Sequence, residues 1–215
     1  MAFRQGDRLV GLEVDLATHL AHDLGRELRF VDIDFDNLIP ALLDDRIDVV
    51  MSGLTVTRAR QFRVAFADPY LDSGLVALMR RGDRSRYQRV EQVLATTGRV
   101  GVRKASTGEK FVQERMPNAT IVPYSTSGAA GIELPQHRID LFVNDAPIVA
   151  WLVSSNEADL AALWTLLTHD EIAWAFRPGD EALRGAANET LARWRADGTL
   201  RQILGHWLRG WPGQS

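Results

Sequence analysis

The sequence predicts an α/β fold arranged as two lobes. Segments with the periodicity of strands and helices alternate along the chain, which favours parallel sheets with helices on their faces. A second such cycle begins after the charged residues 80–84, and extended segments at 74–79 and 171–176 stand where the chain would pass between lobes. The 215 residues, 46% of them hydrophobic, suffice for one large domain or two lobes. We therefore expect lobe 1 to comprise residues 1–77 and 174–215, and lobe 2 residues 78–173.

The elements of the first cycle follow from the spacing of apolar residues. Leu16, Leu20 and Leu24 recur at helical spacing, and Gly25 ends that helix. Pro40 is compatible with the next helix because it falls in the first turn. In chain order we expect a helix at 16–24, a strand at 28–33, a helix at 38–43, and a strand at 47–51 that ends at Ser52 and Gly53.

The second cycle has a related order of elements but no close sequence repeat of the first. The extended segment at 74–79 leads into it, and another at 172–176 leads out. In chain order we expect strands at 99–103, 120–124 and 139–143, a helix at 110–115, and closing helices at 181–196 and 199–209.

Charge and composition exclude several classes of function. The net charge is -3 with both signs interleaved, whereas a nucleic-acid-binding domain clusters Lys and Arg on one face. The absence of cysteine excludes disulfides and thiolate chemistry. A membrane helix needs about eighteen consecutive apolar residues, and the chain contains no such run. Residues 1–4 carry no signal-peptide pattern, so we expect none in this chain.

A first candidate site follows the strand at 47–51. The segment 52–60 carries Gly53, two threonine hydroxyls and two arginines, at the strand end where open parallel sheets bind ligands. A guanidinium meets a carboxylate with two parallel hydrogen bonds, which an ammonium cannot do. A turn followed by a solvated, arginine-rich helix would have the same sequence.

A second candidate lies between a predicted strand and helix at 103–109. Ser106 and Glu109 form the spacing of a capping box. Because a helix N-terminus exposes unpaired N–H groups and a partial positive charge, it suits an anion such as a carboxylate. A cap without any ligand would show the same pattern.

A third candidate is Asp145, which follows the strand at 139–143. Its carboxylate could meet a ligand ammonium, or it could cap the helix that begins near Pro147. Signs of a metal or a nucleophile are weak. His19 and His22 share a helix face without a third ligand nearby, and no Gly-x-Ser-x-Gly elbow is present. We expect no cofactor, no metal and no catalytic residue.

The ordered set of segments resembles the bacterial amino-acid-binding proteins, the type II solute-binding proteins of family 3. The likeness covers nearly the whole chain. It is carried by Gly11-Leu12-Glu13-Val14-Asp15-Leu16, Leu38 to Leu42, Arg46 to Gly53, Thr55-Val56-Thr57, Arg60, Phe66, Asp68-Pro69-Tyr70, Ser73-Gly74, Val100-Gly101-Val102, Ser106-Thr107, Asp140 to Asp145, Asp197 to Leu200, and Trp207. This resemblance implies the type II periplasmic-binding-protein fold, with two crossover strands between the lobes.

The resemblance also implies a role for individual residues. Arg60 would clamp the α-carboxylate of a free amino acid, helped by the backbone N–H groups of Thr55 and Thr107. Asp145 would receive the α-ammonium. Further ligand contacts would come from Phe35, packing on the ligand side chain, and from Ser52, Gly53, Thr55 and Arg103. Arg103 and Asn144 favour a polar or acidic side chain such as that of glutamine or glutamate.

The family implies a receptor for the membrane permease of an ABC-type amino-acid importer, in the periplasm or outside the cell. The same fold also serves as a sensor domain. A different class, cyclohexadienyl (arogenate and prephenate) dehydratase, shares the fold and is the alternative function.

Two departures from the family pattern have structural consequences. The family has a strand and a short loop before the motif at Gly11, and lobe 1 of this chain would lack that central strand. Unpaired strand edges invite pairing with a neighbouring chain. In addition, Ala105 stands where the family usually has glycine, which would stiffen the loop before Ser106 or turn it differently.

Overall fold

The structure, a computed structural model, describes residues 1–6 and 8–208 and divides them into two units. The first unit comprises Met1–Asp72 and the described chain from Glu171 onward, and the second comprises Ser73–Asp170. The chain thus leaves the first unit once and returns once, as expected for two lobes joined by two crossings. The predicted limits, at 77/78 and 173/174, lie a few residues beyond these points, and residues 209–215 of predicted lobe 1 lie outside the described part.

The first part of unit 1 begins with a hairpin and a helix. Strands β1 and β2 pair antiparallel, with Phe3 opposite Val10. The elements are β1 (Phe3–Gln5), β2 (Arg8–Val10), α1 (Leu12–Asp23), α2 (Leu38–Leu43), β3 (Val49–Val50), α3 (Arg58–Gln61), β4 (Ala65–Phe66) and, at the crossing, β5 (Leu71–Ser73).

Unit 2 is built on one five-stranded sheet. Its elements are β6 (Leu75–Arg80), α4 (Val90–Leu94), β7 (Arg99–Arg103), α5 (Thr107–Arg115), β8 (Thr120–Tyr124), α6 (Ala130–Glu133), β9 (Leu141–Asp145), α7 (Ala146–Ser155), β10 (Leu160–Leu163) and, at the returning crossing, β11 (Asp170–Ile172). The strand order is β10-β6-β9-β7-β8. Residues 75–79 are nearly fully buried, as a strand covered on both faces requires.

The returning chain completes unit 1. Its elements are β12 (Ala175–Phe176), α8 (Glu181–Asp197) and α9 (Thr199–Trp207). Strand β12 lies between β3 and β4 and is antiparallel to both. Gly198, at φ 87, ends α8 in the left-handed conformation that glycine adopts without steric cost.

The sheet of unit 2 is mixed and the β3-β12-β4 sheet of unit 1 is antiparallel, which differs from the expected parallel arrangement. In unit 2, β7 is parallel to β8 and β9, whereas β6 is antiparallel to β9 and β10. Strands β6 and β12 both follow a crossing between units. Because neither enters its sheet through a strand-helix-strand crossover, neither has to run parallel to its neighbours.

The predicted strand at 28–33 is wrong. The structure assigns no regular element to residues 26–34, and the side chains of Leu28, Phe30 and Val31 are 37%, 47% and 45% exposed. A strand exists only with a hydrogen-bonded neighbour, and within the described residues β3 stands at the edge of its sheet with β12 as its partner. Residues 28–33 pair with no strand in the described part of the chain, so the apolar alternation of this segment does not become a strand.

Candidate functional site

The loop after β3 carries the first group of predicted site residues. Gly53 has φ 65, in the left-handed region, and its N–H donates to Oε1 of Glu13 at 2.5 Å. The same oxygen accepts a hydrogen bond from the hydroxyl of Tyr70 at 2.5 Å. Ser52 lies half-buried immediately before Gly53. One buried carboxylate from the start of α1 thus fixes the backbone of this loop.

Arg60, Thr55 and Phe35 are brought together in unit 1, as the sequence predicted. The guanidinium of Arg60 donates through Nη1 to the carbonyl of Thr55 at 2.8 Å and lies over the Phe35 ring, 5.7 Å from its centre. Thr57 caps α3, since its hydroxyl accepts from the N–H of Arg60 at 3.2 Å. Thr55 is 2% exposed and forms a bridge with Ile172. The cation is therefore held in a defined direction by backbone and aromatic contacts.

The second group surrounds the start of α5 in unit 2. Ser106 caps this helix: its hydroxyl accepts from the N–H of Glu109 at 3.2 Å and donates to the carbonyl of Arg103 at 2.6 Å. The Glu109 carboxylate accepts a hydrogen bond from the N–H of Ala105 at 2.7 Å. In a standard capping box it would accept from the N–H of the N-cap residue, which here is Ser106. Thr107 is the first residue of α5, where helix N–H groups lack a partner within the helix.

Asp145 ends β9 and occupies the N-cap position of α7. Its side chain makes no capping hydrogen bond, although aspartate is among the best N-cap residues. The role of Asp145 toward a ligand ammonium stays a prediction. Asp145 is half-buried, so its carboxylate needs polar surroundings.

Asn144, which the sequence suggested for the ligand side chain, is buried and hydrogen-bonded within unit 2. It is 3% exposed, its side-chain NH2 donates to the Ser127 hydroxyl at 2.8 Å, and its side-chain carbonyl accepts from the N–H of Asp145 at 2.8 Å. Both ends of the amide are therefore engaged within unit 2. Asn144 thus orients the backbone at Asp145, and its contact with a ligand side chain stays a prediction.

The predicted residues fall into two groups, one in each unit. Phe35, Ser52, Gly53, Thr55 and Arg60 belong to unit 1, and Arg103, Thr107 and Asp145 belong to unit 2. Glu13 and Ser127 complete these groups, and sequence reasoning assigned neither a role in a site. Glu13 lies in the family motif at residues 11–16, but its burial depends on the fold.

The family model described as bacterial extracellular solute-binding proteins, family 3, matches residues 1–210. The chain belongs to this family. The order of motifs, from Gly11 to Trp207, and the two-unit division agree with that membership.

Three comparisons place this family 3 protein among its relatives. ABC transporter arginine-binding protein 1 of Escherichia coli (strain K12) is 28% identical over 208 residues, covering 94% of this chain and 83% of the relative. Cyclohexadienyl dehydratase of Pseudomonas aeruginosa is 31% identical over 204 residues, covering 94% of this chain and 76% of the relative. A solved structure of an ancestral arginine-binding protein bound to glutamine has a TM-score of 0.87 and 30% identity, covering 96% of this chain and 91% of that one. The predicted fold class is confirmed.

The described residues were also compared with the requirements of a membrane helix and of a metal site. In residues 1–6 and 8–208, no helix is long and apolar enough to cross a membrane. The same residues contain no group of three or more His, Cys, Asp or Glu side chains arranged to hold a metal ion.

Proposed function

We propose that this family 3 protein binds one free amino acid, with Arg60 on the α-carboxylate and Asp145 on the α-ammonium. The observation that carries the proposal is the fixed guanidinium of Arg60, held by the Thr55 carbonyl and the Phe35 ring. A guanidinium directed in this way is suited to a two-pronged contact with a carboxylate. Asp145, at the end of β9 in unit 2, supplies an acid for the opposite charge of a zwitterion.

The remaining residues would complete the contacts. The N–H groups of Thr55 and Thr107 donate to the α-carboxylate, and the Gly53 carbonyl and Thr55 hydroxyl accept from the α-ammonium. The ring of Phe35 packs on the ligand side chain. Because the anion and cation sites belong to different units, only a closed state makes both sets of contacts, and the ligand drives closure.

Calorimetric titration with a panel of the twenty amino acids tests this proposal. We expect one or a few of them to bind, and an affinity in the micromolar range would correspond to about 8 kcal/mol. Competition by the methyl ester of the preferred ligand should fail, because esterification removes the charge that Arg60 meets. An ester that binds as tightly as the free amino acid would overturn the assignment of Arg60.

The ligand side chain is assigned to the polar or acidic class, such as glutamine or glutamate. Arg103 supports this, because a guanidinium at the end of β7 attracts a terminal amide or carboxylate and repels a cationic side chain. Asn144 gives no support, since its amide is engaged within unit 2. The relatives are mixed: two from Escherichia coli are named for arginine, one solved structure holds lysine, and the ancestral arginine-binding protein is seen with arginine and with glutamine. Replacing Arg103 by Gln should shift preference toward arginine, and an unchanged ranking would refute the assignment.

The physiological setting follows from the family and its relatives. The family is described as extracellular, and the Escherichia coli relative is an ABC transporter binding protein. We assign the chain to the periplasm or cell exterior, with the permease of an ABC importer as its partner. The alternative is use of the same fold as a sensor domain. Stimulation of the ATPase of the cognate transporter by the liganded protein would separate the two.

A neighbouring chain is proposed to pair with the segment 28–33. Its support is the exposure of Leu28, Phe30 and Val31 in a sequence with strand alternation. Analytical ultracentrifugation should show association that depends on concentration and is weakened by Phe30→Glu. Phe62→Glu is the control, because Phe62 is 89% exposed in a helix C-cap away from any strand pattern. A wild type that stays monomeric at all concentrations would overturn this pairing.

The second candidate function is cyclohexadienyl dehydratase, favoured by the 31% identity with the Pseudomonas aeruginosa enzyme. In that reaction prephenate or arogenate loses water and carbon dioxide, and a general acid is needed to protonate the leaving hydroxyl group. Asp145 is already assigned to the ammonium, and we identify no separate acid for that step. Incubation with prephenate, followed by ultraviolet absorbance, decides between the two: turnover supports the enzyme, and its absence together with amino-acid binding supports the receptor.

A further inference from the structure

The side chain of Glu13 is the most deeply buried acid in unit 1 among the described residues. It is 2% exposed, although it lies in the first turn of α1 between Leu12 and Val14. Its Oε2 atom is buried and has no hydrogen-bond partner in the described part of the chain. Burying a carboxylate without full pairing is costly, so a residue that served only to stabilise the fold would be better replaced by an apolar one.

The other oxygen of Glu13 has a specific task. It accepts from the N–H of Gly53 and from the hydroxyl of Tyr70, both at 2.5 Å. Gly53 has φ 65, and a side chain there would meet Met1, whose Cε lies 3.1 Å from the Cβ position. The peptide bond between Ser52 and Gly53 is therefore held in one orientation by its charge-assisted hydrogen bond to Glu13 and by the close approach of the Met1 side chain. The N–H of Gly53 shares a peptide plane with the carbonyl of Ser52, so this bond fixes that plane, and the φ of 65 at Gly53 sets the course of the loop that carries the Gly53 carbonyl.

We infer that Glu13 is a positioning residue for the ligand site, acting through the Gly53 peptide. The inference rests on the proposed function, in which the Gly53 carbonyl and the adjoining Thr55 accept the α-ammonium and donate to the α-carboxylate. Glu13 does not touch the ligand. It sets the backbone of residues 53–55, and Tyr70 holds its carboxylate in place.

Replacement of both partners by apolar groups separates positioning from stability. The double variant Glu13→Met, Tyr70→Phe removes the buried carboxylate and the hydroxyl together. It leaves the Gly53 N–H without an acceptor, at a cost of about 1–3 kcal/mol, which the removal of a partly unpaired buried carboxylate offsets. We expect its melting temperature to stay within a few degrees of wild type while Kd rises about tenfold or more. Tyr70→Phe alone keeps the bond to Gly53 and should leave Kd within about twofold.

Asp15→Ala is the matched control. Asp15 lies on the same helix and accepts a hydrogen bond from Nε1 of Trp207 at 2.7 Å, but it does not contact the 53–55 loop. We expect its melting temperature to fall and its Kd to remain unchanged. Should the double variant instead lose stability and keep wild-type Kd, Glu13 is only a structural residue and the inference is wrong.

A measurement without ligand keeps this inference separate from the proposed function. The Gly53 amide proton, bonded to a carboxylate, should resonate far downfield in the NMR spectrum of the free protein and move upfield in Glu13→Gln. An unchanged Gly53 resonance in Glu13→Gln overturns the positioning role, whatever binds. If wild type shows the downfield resonance but no amino acid binds, the proposed function fails while Glu13 still sets the loop.

Discussion

At the scale of single residues, several residues of the candidate site have conformations or surroundings that lower the stability of the fold. Glu13 keeps a buried oxygen without a partner, and Asp145 occupies an N-cap position without capping. Ala105 adopts φ 58, a left-handed conformation that costs a non-glycine residue about 1–2 kcal/mol. Departures from local rules of this kind concentrate at functional sites.

Arg60→Ala should abolish most amino-acid binding. The change removes the carboxylate partner and leaves the ligand anion and Asp145 imperfectly paired, which costs about 2–5 kcal/mol, or roughly 30-fold to several thousand-fold in Kd. Calorimetry measures the loss. Arg58→Ala is the control, because Arg58 is exposed on the same short helix. Equal losses for both variants would show that general electrostatic attraction, and not a specific clamp, accounts for binding.

Ala105→Gly should stabilise unit 2 by about 1 kcal/mol, since glycine adopts positive φ without steric cost and this gain exceeds its added unfolded-state entropy. The departure from the family glycine thus has a measurable energetic consequence. Thermal unfolding provides the test. Ala192→Gly, in the exposed middle of α8, is the opposite control and should destabilise by about 1 kcal/mol. A lower melting temperature for Ala105→Gly would contradict the strain argument.

At the scale of elements, the sequence predicted helices and strands correctly where the residues of the segment decide its structure. The prediction was wrong where the structure of a segment depends on a neighbouring strand. The run at 75–79 is apolar throughout and forms a central strand, and the helix at 38–43 has its predicted bounds. The segment 28–33 has equally good strand residues but no partner strand. The predicted strand at 47–51 shortens to Val49–Val50 because only β12 lies beside it. A motif in the sequence marks Arg60 as a candidate site residue, whereas the burial of Glu13 and Asn144 depends on tertiary packing.

Asp140 joins several elements of unit 2. Its Oδ2 accepts from the backbone N–H of Arg99 at 2.8 Å, and Oδ1 accepts from the Arg80 guanidinium at 3.3 Å. Burial alone would raise the pKa of the Asp140 carboxyl, but the hydrogen bonds from Arg99 and Arg80 together outweigh burial and lower that pKa below its ordinary value of 3.8. A lowered folded-state pKa means that the ionised form is preferred in the native protein.

The contribution of Asp140 to stability should therefore depend on pH. It is fully present above the unfolded-state pKa, near 3.8, and is lost as the pH falls through the lower folded-state pKa. We expect Asp140→Asn to destabilise the protein by about 2 kcal/mol at pH 7 and by progressively less below pH of about 4.

Thermal unfolding of wild type and Asp140→Asn between pH 7 and pH 3 measures this dependence. Glu157→Gln, an exposed acid in the same unit, should show no such convergence. A difference between wild type and Asp140→Asn that stays constant over the whole pH range would show that the effect of the substitution comes from shape and not from charge.

At the scale of the whole molecule, the two crossings of the chain are tied to each other. Strands β5 and β11 form a two-stranded sheet that contains both points where the chain changes unit. In unit 2, the N–H of Leu75 donates to the Thr168 hydroxyl at 2.9 Å, which in turn donates to Asp170 at 2.5 Å. A side chain at Gly74 would lie 2.0 Å from the Thr168 carbonyl, so only glycine allows this approach. Both points where the chain changes unit therefore belong to one pair of strands.

Ligand binding should accordingly compact the molecule, because Arg60 and Asp145 belong to different units and the proposed ligand carries a charge for each. Small-angle X-ray scattering should show a smaller radius of gyration at saturating ligand. Asp145→Ala removes the unit 2 acid, so residual binding through Arg60 should persist at higher ligand concentration without compaction. Asp159→Ala, an exposed acid of unit 2, should behave as wild type. Full binding with an unchanged radius of gyration would show that one unit alone holds the amino acid, which would remove Asp145 from the site.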